Sequence, residues 1–199
     1  MIDHYFLTKA CNRSLTFSNG TSFLLDFKSI KNQIVINTST ITKKNIRSDL
    51  NLKKFNPKRI KLLFIGRLEQ DKGIFNVIDL LQQSLKDGYL QLGIVGGGNI
   101  DKLQSFLDRN LSIQYYGEID DRDMMFDIID QYDLGIIPSY VDFLPRVSWE
   151  FASRGLPILY SNTITSLDFY SEQIPSIIPI DFTDKNDVHN MLRRLSPSL

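Results

Sequence analysis

Cysteine is almost absent from this chain of 199 residues, where Cys11 stands alone. One thiol cannot close an internal disulfide, which excludes a disulfide-stapled scaffold and fits a reducing compartment. An excess of charge is missing too, with 23 Lys and Arg against 23 Asp and Glu. That balance argues against a general nucleic-acid binder and leaves room only for a local basic site. No apolar run approaches the ~18 residues of a membrane-spanning helix. Residues Met1 to Phe6 lack the basic flank and apolar stretch of a signal peptide. The two histidines, His4 and His189, are far apart with no Cys/His cluster around either, so no metal site is expected. The sequons at Asn12, Asn19 and Asn37 read as chance in an Asn-rich cytosolic chain. What remains is a 42% apolar sequence, enough for one buried core or for one domain plus part of another.

The first 57 residues are irregular. Ile2 to Arg13 reads as a helix, Ser14 to Phe17 as a strand, Ser18 to Thr21 as a turn, Ser22 to Phe27 as a short apolar helix and Gln33 to Asn37 as a strand. Thr38 to Pro57 is polar and basic, the pattern of a solvated linker, and the main boundary is placed between residues 57 and 58. Beyond it the chain alternates. Strands are expected at Ile60 to Ile65, Leu90 to Val95, Ser112 to Tyr116, Asp133 to Ile137, Leu156 to Tyr160 and Ser176 to Ile180. Helices are expected at Ile74 to Lys86, Ile100 to Arg109, Asp121 to Tyr132, from Pro145 to Gly155, and at Asp187 to Leu195. In the third of these, Met124, Ile128 and Ile129 face inward, with Asp120 as the cap. Strands this apolar need cover on both faces, so the alternation predicts an α/β domain with a Rossmann-like parallel sheet between helices.

The most informative stretch is Pro138 to Leu159. An apolar strand ends at Pro138, a loop follows, Pro145 suits a first helical turn, and Gly155 and Pro157 stop the helix. Its loop meets a helix start at the C-terminal end of a strand, where open α/β sheets bind ligands. Asp142 and Glu150 bracket it. Gly96-Gly97-Gly98 invites a dinucleotide reading with Glu118 on a ribose, but Asp101 occupies the third glycine position and the turn follows an internal strand.

Residues 60–160 resemble the C-terminal, nucleotide-sugar-binding domain of the group 1 retaining glycosyltransferases, two-lobed enzymes of the GT-B fold. Gly66-Arg67-Leu68 with Lys72-Gly73 resembles the family's donor-phosphate loop. Leu92 to Gly98 resembles its strand and glycine turn, and Tyr116-Gly117-Glu118-Ile119 its strand-end glycine. Pro145, Val147, Glu150, Ala152, Gly155 and Pro157 fall in place in the signature Glu-Gly-x-Pro-x-Val-x-x-Glu-Ala-x-Ala-x-Gly-x-Pro. Three positions depart from it: Asp142 for Glu, Phe143 for Gly and Phe151 for Ala.

The resemblance implies an enzyme lobe, of hexosyltransferase type, that passes a sugar from a nucleoside diphosphate sugar to a glycan or lipid-linked acceptor with retention, in polysaccharide or cell-surface glycan assembly. Arg67, Lys72 and Asp142 are the implied catalytic residues. The first two meet the charge growing on the leaving diphosphate, and Asp142 orients the sugar hydroxyls. Gly66, Gly98, Gly117, Phe143, Leu144, Pro145, Arg146, Val147 and Glu150 are the implied donor-binding residues, with Glu150 accepting from the ribose hydroxyls. No cofactor and no metal is implied. Residues 1–57 correspond to the end of the acceptor lobe and the linker, so a partner N-terminal lobe is implied and nucleic acid is not. The chain is expected in the cytoplasm, free or peripheral at the inner face of the cell membrane.

The plainer readings stand beside these. Arg67 suits a solvated loop, Asp142 a turn, and Glu150 an ion pair with Arg146 or Arg154 one helical turn away. Asp121-x-Asp123 resembles the metal motif of the other glycosyltransferase fold, but acids are expected in the first turn of a helix. A non-catalytic nucleotide-sugar-binding module, or a truncated pseudoenzyme acting through a partner lobe, is the alternative function.

Overall fold

The computed structural model describes residues 4–19, 29–36, 41–47, 59–109, 111–142 and 144–195. Two compact units divide the chain, Met1–Thr40 and Ile41–Leu199. The expected boundary at 57/58 falls among residues outside the described ones.

In the first unit, helix α1 (His4–Cys11) precedes two strands, β1 (Thr16–Asn19) and β2 (Gln33–Ile36), which pair in parallel. β1 begins two residues later than the sequence pattern suggests. Asn12 ties the unit together: its carboxamide oxygen accepts the Lys31 N–H at 2.8 Å and its NH2 group donates to the Ser29 carbonyl at 3.2 Å. The expected helix at 22–27 lies outside the described residues.

The second unit is built on six parallel strands. They are β3 (Ile60–Ile65), β4 (Leu90–Val95), β5 (Ile113–Tyr115), β6 (Leu134–Ile137), β7 (Ile158–Ser161) and β8 (Ile177–Ile180), in the spatial order β5-β4-β3-β6-β7-β8. Helices α2 (Ile74–Lys86), α3 (Ile100–Leu107), α4 (Arg122–Ile129), α5 (Val147–Ser153), α6 (Asp168–Ser171) and α7 (Lys185–Leu195) fill the crossovers and the end of the chain. The α/β class, with helices on both faces of the sheet, is as the alternation implies.

Two cores follow from the two-residue period of the strands. Ile60, Leu62 and Phe64 of β3 join α2, α3 and α7 on one face, whereas Leu63 joins α4 and α5 on the other. The second face carries two glycines in its strands, and each faces a large aromatic. A Cβ at Gly93 would lie 2.2 Å from the Tyr132 hydroxyl, and one at Gly135 would lie 2.3 Å from the Phe151 ring. Phe151, the aromatic at a position where a small residue is usual, is fully buried against the bare backbone of β6. The Tyr132 hydroxyl meets that of Tyr116 at 2.9 Å, and burial raises the Tyr132 phenol well above the ordinary tyrosine range.

Three local expectations are corrected. Met124 is exposed, and Phe126, Ile128 and Ile129 are the inward residues of α4. Asp121, not Asp120, caps that helix, its carboxylate accepting the N–H groups of Asp123 and Met124 at 2.9 and 3.1 Å. Residues 41–47, expected as solvated linker, are held on the second unit. The Arg47 N–H donates to the Ser153 carbonyl at 2.9 Å, and Ile41 packs against the second core.

Candidate functional site

Strand order places the site. The chain runs outward from β3 to β4 and β5, then returns to the other side of β3 as β6 and continues to β7 and β8. Order therefore reverses between β3 and β6, which pair through Leu62–Leu134 and Phe64–Ile136. At such a reversal the loops leaving the two strands diverge, and a crevice opens outside their C-terminal ends. The loop after β3 is 66–73 and the loop after β6 is 138–146. Both carry residues that the sequence singles out.

The loop after β3 is held on both sides. Towards β4, the Gly66 N–H donates to Val95 O at 3.0 Å, Leu68 N–H to Gly97 O at 2.7 Å, and Asn99 N–H to Leu68 O at 2.9 Å. Gly96 and Gly98 make this contact possible. Their φ angles are +132° and +130°. A Cβ on Gly96 would sit 2.0 Å from the Gly66 carbonyl oxygen, and one on Gly98 would sit 2.9 Å from Leu68 backbone. Both positions need glycine for conformation and for space. Gly98 thus lets the chain itself approach, whereas the resemblance assigns that clearance to the ligand.

Towards β6, a 3-10 turn at Gln70–Lys72 ends on Gly73 at φ +71°. There a Cβ would lie 2.1 Å from the Pro138 carbonyl oxygen. The Tyr140 N–H donates to Asp71 O at 2.9 Å, and Asn76 donates its side-chain amide to the Tyr140 hydroxyl. Tyr140 and Asn76 are thus part of the frame of the site. Neither carries a sequence signal, because their partnership exists only once β3 and β6 are adjacent.

This clamping brings Lys72 to Asp142. Lys72 Nζ donates to Asp142 Oδ2 at 2.9 Å, with the two side chains only 19% and 20% exposed. Arg67, on the same loop, is largely exposed and pairs with Glu69 at 3.0 Å. Both cations proposed for a diphosphate therefore hold a carboxylate of the chain.

The remaining site residues lie on the same edge. Leu144 and Pro145 are buried, and the Pro145 carbonyl accepts both the N–H and the hydroxyl of Ser148, at 3.0 and 2.7 Å. Pro145 thus precedes α5 instead of starting it. Arg146 is the N-cap, Val147 the first helical residue, and Glu150 stands half-buried in the first turn. Phe143 lies outside the described residues. After β5, Gly117 has φ +77° and its carbonyl accepts the Gly96 N–H at 2.8 Å, yet its Cβ position faces open space. Glu118 lies over Gly97, where a Cβ would meet its carboxylate at 1.8 Å. The loops after β3, β4, β5 and β6 thus form one continuous rim.

Arg154, at the other end of α5, gives Nε to Asp130 at 2.9 Å and a second nitrogen to the same carboxylate, with its third on the Asn45 carbonyl at 3.1 Å. The Asp130 hydrogen bonds hold the guanidinium in its charged form. Among the described residues, no group of three or more His, Cys, Asp and Glu could hold a metal ion, and no helix is long and apolar enough to cross a membrane.

A rim of this kind suits an elongated anionic ligand. Arg67 and Lys72 stand on the loop after β3, and Asp142 and the start of α5 follow β6. The family model for glycosyl transferases group 1 matches residues 45–173. No curated protein matches the sequence. Among solved structures, WaaG, a glycosyltransferase involved in lipopolysaccharide biosynthesis, is 16% identical with a TM-score of 0.69 over 90% of this chain and 52% of its own. HepE of Anabaena, solved with UDP, is 16% identical with a TM-score of 0.68 over 94% of this chain and 56% of its own. A trehalose-6-phosphate synthase, studied for glycosyltransfer with retention, is 15% identical with a TM-score of 0.61 over 82% and 44%. The chain spans about half the length of these structures.

Proposed function

We propose that this chain, which belongs to the group 1 glycosyl transferases, is the donor-binding lobe of a retaining hexosyltransferase. The donor is a nucleoside diphosphate sugar and the acceptor a glycan or a lipid-linked glycan, bound by a partner N-terminal lobe. UDP in HepE supports a nucleoside diphosphate, the trehalose-6-phosphate synthase supports retention, and WaaG supports a role in cell-surface glycan assembly. The observation that carries the reading is the Lys72–Asp142 contact across the sheet reversal. In this reading the cation for the leaving diphosphate and the carboxylate for the transferred sugar stand together where the bond between sugar and diphosphate breaks.

The proposed roles follow from charge flow. As the anomeric carbon–oxygen bond lengthens, negative charge builds on the diphosphate. Lys72 has exchanged Asp142 for the diphosphate on donor binding, and Arg67 has exchanged Glu69. Cations already seated on the diphosphate of the bound donor lower the barrier because they are in place before the charge grows. Gly66 and the backbone of residues 144–147 line the phosphates and sugar, with Arg146 at the mouth. Asp142, released, accepts from sugar hydroxyls. Glu150 accepts the two ribose hydroxyls on its two carboxylate oxygens. Gly117, whose side-chain direction is empty, leaves clearance for the nucleoside. In this reading the positive charge comes from the chain itself, with no metal ion.

Calorimetry of the purified chain with UDP, GDP and ADP tests the proposal. One of them binds with a dissociation constant in the micromolar to millimolar range, about 4–8 kcal/mol. Saturable binding of none would overturn it. A donor-hydrolysis assay on the same chain then separates an active lobe from a module that binds without turnover.

A further inference from the structure

Helix α5 carries Glu150 near its start and is only seven residues long. A helix of two turns has little rigidity of its own, and its last carbonyls need partners from outside. One is supplied by the segment 41–47, which begins where the first unit ends. Arg47 donates its N–H to the Ser153 carbonyl at 2.9 Å. Ser153 in turn donates its hydroxyl to the Glu150 carbonyl at 2.8 Å. Arg154 completes the attachment by bridging Asp130, at the end of α4, and the carbonyl of Asn45.

The segment is shaped for that contact. Asn45 accepts the Thr42 N–H at 2.9 Å and its hydroxyl at 2.8 Å, while the Asn45 N–H returns to the Thr42 carbonyl at 2.9 Å. This reciprocal turn fixes the direction of the Asn45 carbonyl, which meets the guanidinium. The Arg154 guanidinium also lies 5.5 Å from the centre of the Phe126 ring. A lysine has its three donors on one nitrogen and lacks the planar fork that spans Asp130 and the Asn45 carbonyl, so it reproduces only part of this bridge.

We propose that Arg154 is a positioning residue that couples the strap 41–47 to the seat of α5, and so sets where Glu150 meets the nucleoside. The assignment rests on the donor-site reading above. Arg154 and Glu150 stand four residues apart on one helix, so the rotation that frees one end displaces the other. Coupling of this kind through a packed network is worth about 0.5–2 kcal/mol, or roughly two- to thirty-fold in affinity.

The test compares Arg154→Ala, Arg154→Lys and Thr42→Val with the unaltered chain, by amide hydrogen exchange over 41–47 and by calorimetry with UDP, GDP, ADP and inorganic pyrophosphate. Pyrophosphate meets the cations but has no ribose. Arg154→Ala speeds exchange of the Arg47 amide and weakens nucleoside diphosphate binding by about ten-fold, with pyrophosphate binding unchanged. Arg154→Lys recovers part of both losses. Thr42→Val, which removes the hydroxyl bonded to Asn45 and no hydrogen bond of Arg154, moves both in the same direction by less. A freed strap with unchanged nucleotide affinity overturns the proposal, as does an equal loss for nucleotide and pyrophosphate. If the unaltered chain takes up none of the three nucleotides, the donor reading fails and the positioning role with it. The exchange rates then still report whether Arg154 holds the strap.

Discussion

Replacing Lys72 with alanine weakens nucleoside diphosphate binding by about ten- to a hundred-fold, the effect of losing a hydrogen bond between charged groups at roughly 1.5–3 kcal/mol. Turnover in the presence of an acceptor lobe falls further, by about a hundred-fold or more, because the diphosphate is more negative in the transition state than in the bound donor. The geometry makes the prediction directional. Lys72 is held by Asp142 at 2.9 Å in a site that excludes much of the water. Its removal therefore deletes the cation and also leaves a carboxylate facing an incoming anion. Asp142→Asn has the opposite sign for UDP, tightening it a few-fold by freeing Lys72, while lowering turnover through poorer orientation of the sugar. In the double variant, the asparagine restores part of the binding that Lys72→Ala loses. Calorimetry on the four proteins closes the cycle. Equal UDP affinity for the Lys72→Ala variant and the unaltered chain would remove Lys72 from the site.

The largest effects on stability are expected at Gly135 and Phe151, which share one space. A methyl on Gly135 lies 2.3 Å from the ring of Phe151, which is fully buried and has no open side to move toward. Overpacking of this kind costs about 1–3 kcal/mol for alanine, and valine at the same position costs more. Phe151→Ala alone leaves a cavity and costs about 3–5 kcal/mol. Combined, Gly135→Val and Phe151→Ala cost less than the sum of the two, since the new side chain occupies the space the ring vacates. Urea unfolding of the single and double variants measures the coupling. Strict additivity would mean that the two positions do not share the space.

The same pair shows how far the sequence could be read. The alternation of 58–199 was legible because each strand is a short apolar run bounded by glycine, proline or polar residues. β3, α2 and β4 lie where the pattern puts them. The rim was legible as a set of loops, since glycines and charged residues gather after the strands. Which residues touch across it was not. Lys72 and Asp142 are 70 positions apart and meet only because β3 and β6 are neighbours. Arg154 and Asn45, 109 positions apart, meet only because 41–47 folds back on α5. Phe151 looked like a departure from a small residue until Gly135 appeared beside it. Met124 looked inward because its spacing is helical, but a helix of eight residues on a sheet buries a narrower stripe than the period alone suggests. The short turns at Thr165–Leu167 and Asp168–Ser171 have no pattern long enough to read.

The two ion pairs of the rim also bear on the speed of capture. Arg67 faces Glu69 at 3.0 Å and Lys72 faces Asp142 at 2.9 Å, so each cation carries its own counter-charge. Paired in this way these two cations project little field beyond a Debye length and add little to the pull on an approaching anion. Steering of the donor then falls to Arg146, exposed at the mouth, and not to these two cations. Attraction develops only after contact, when the diphosphate exchanges places with the two carboxylates. At these two cations salt therefore acts on how long the donor stays, more than on how often it arrives.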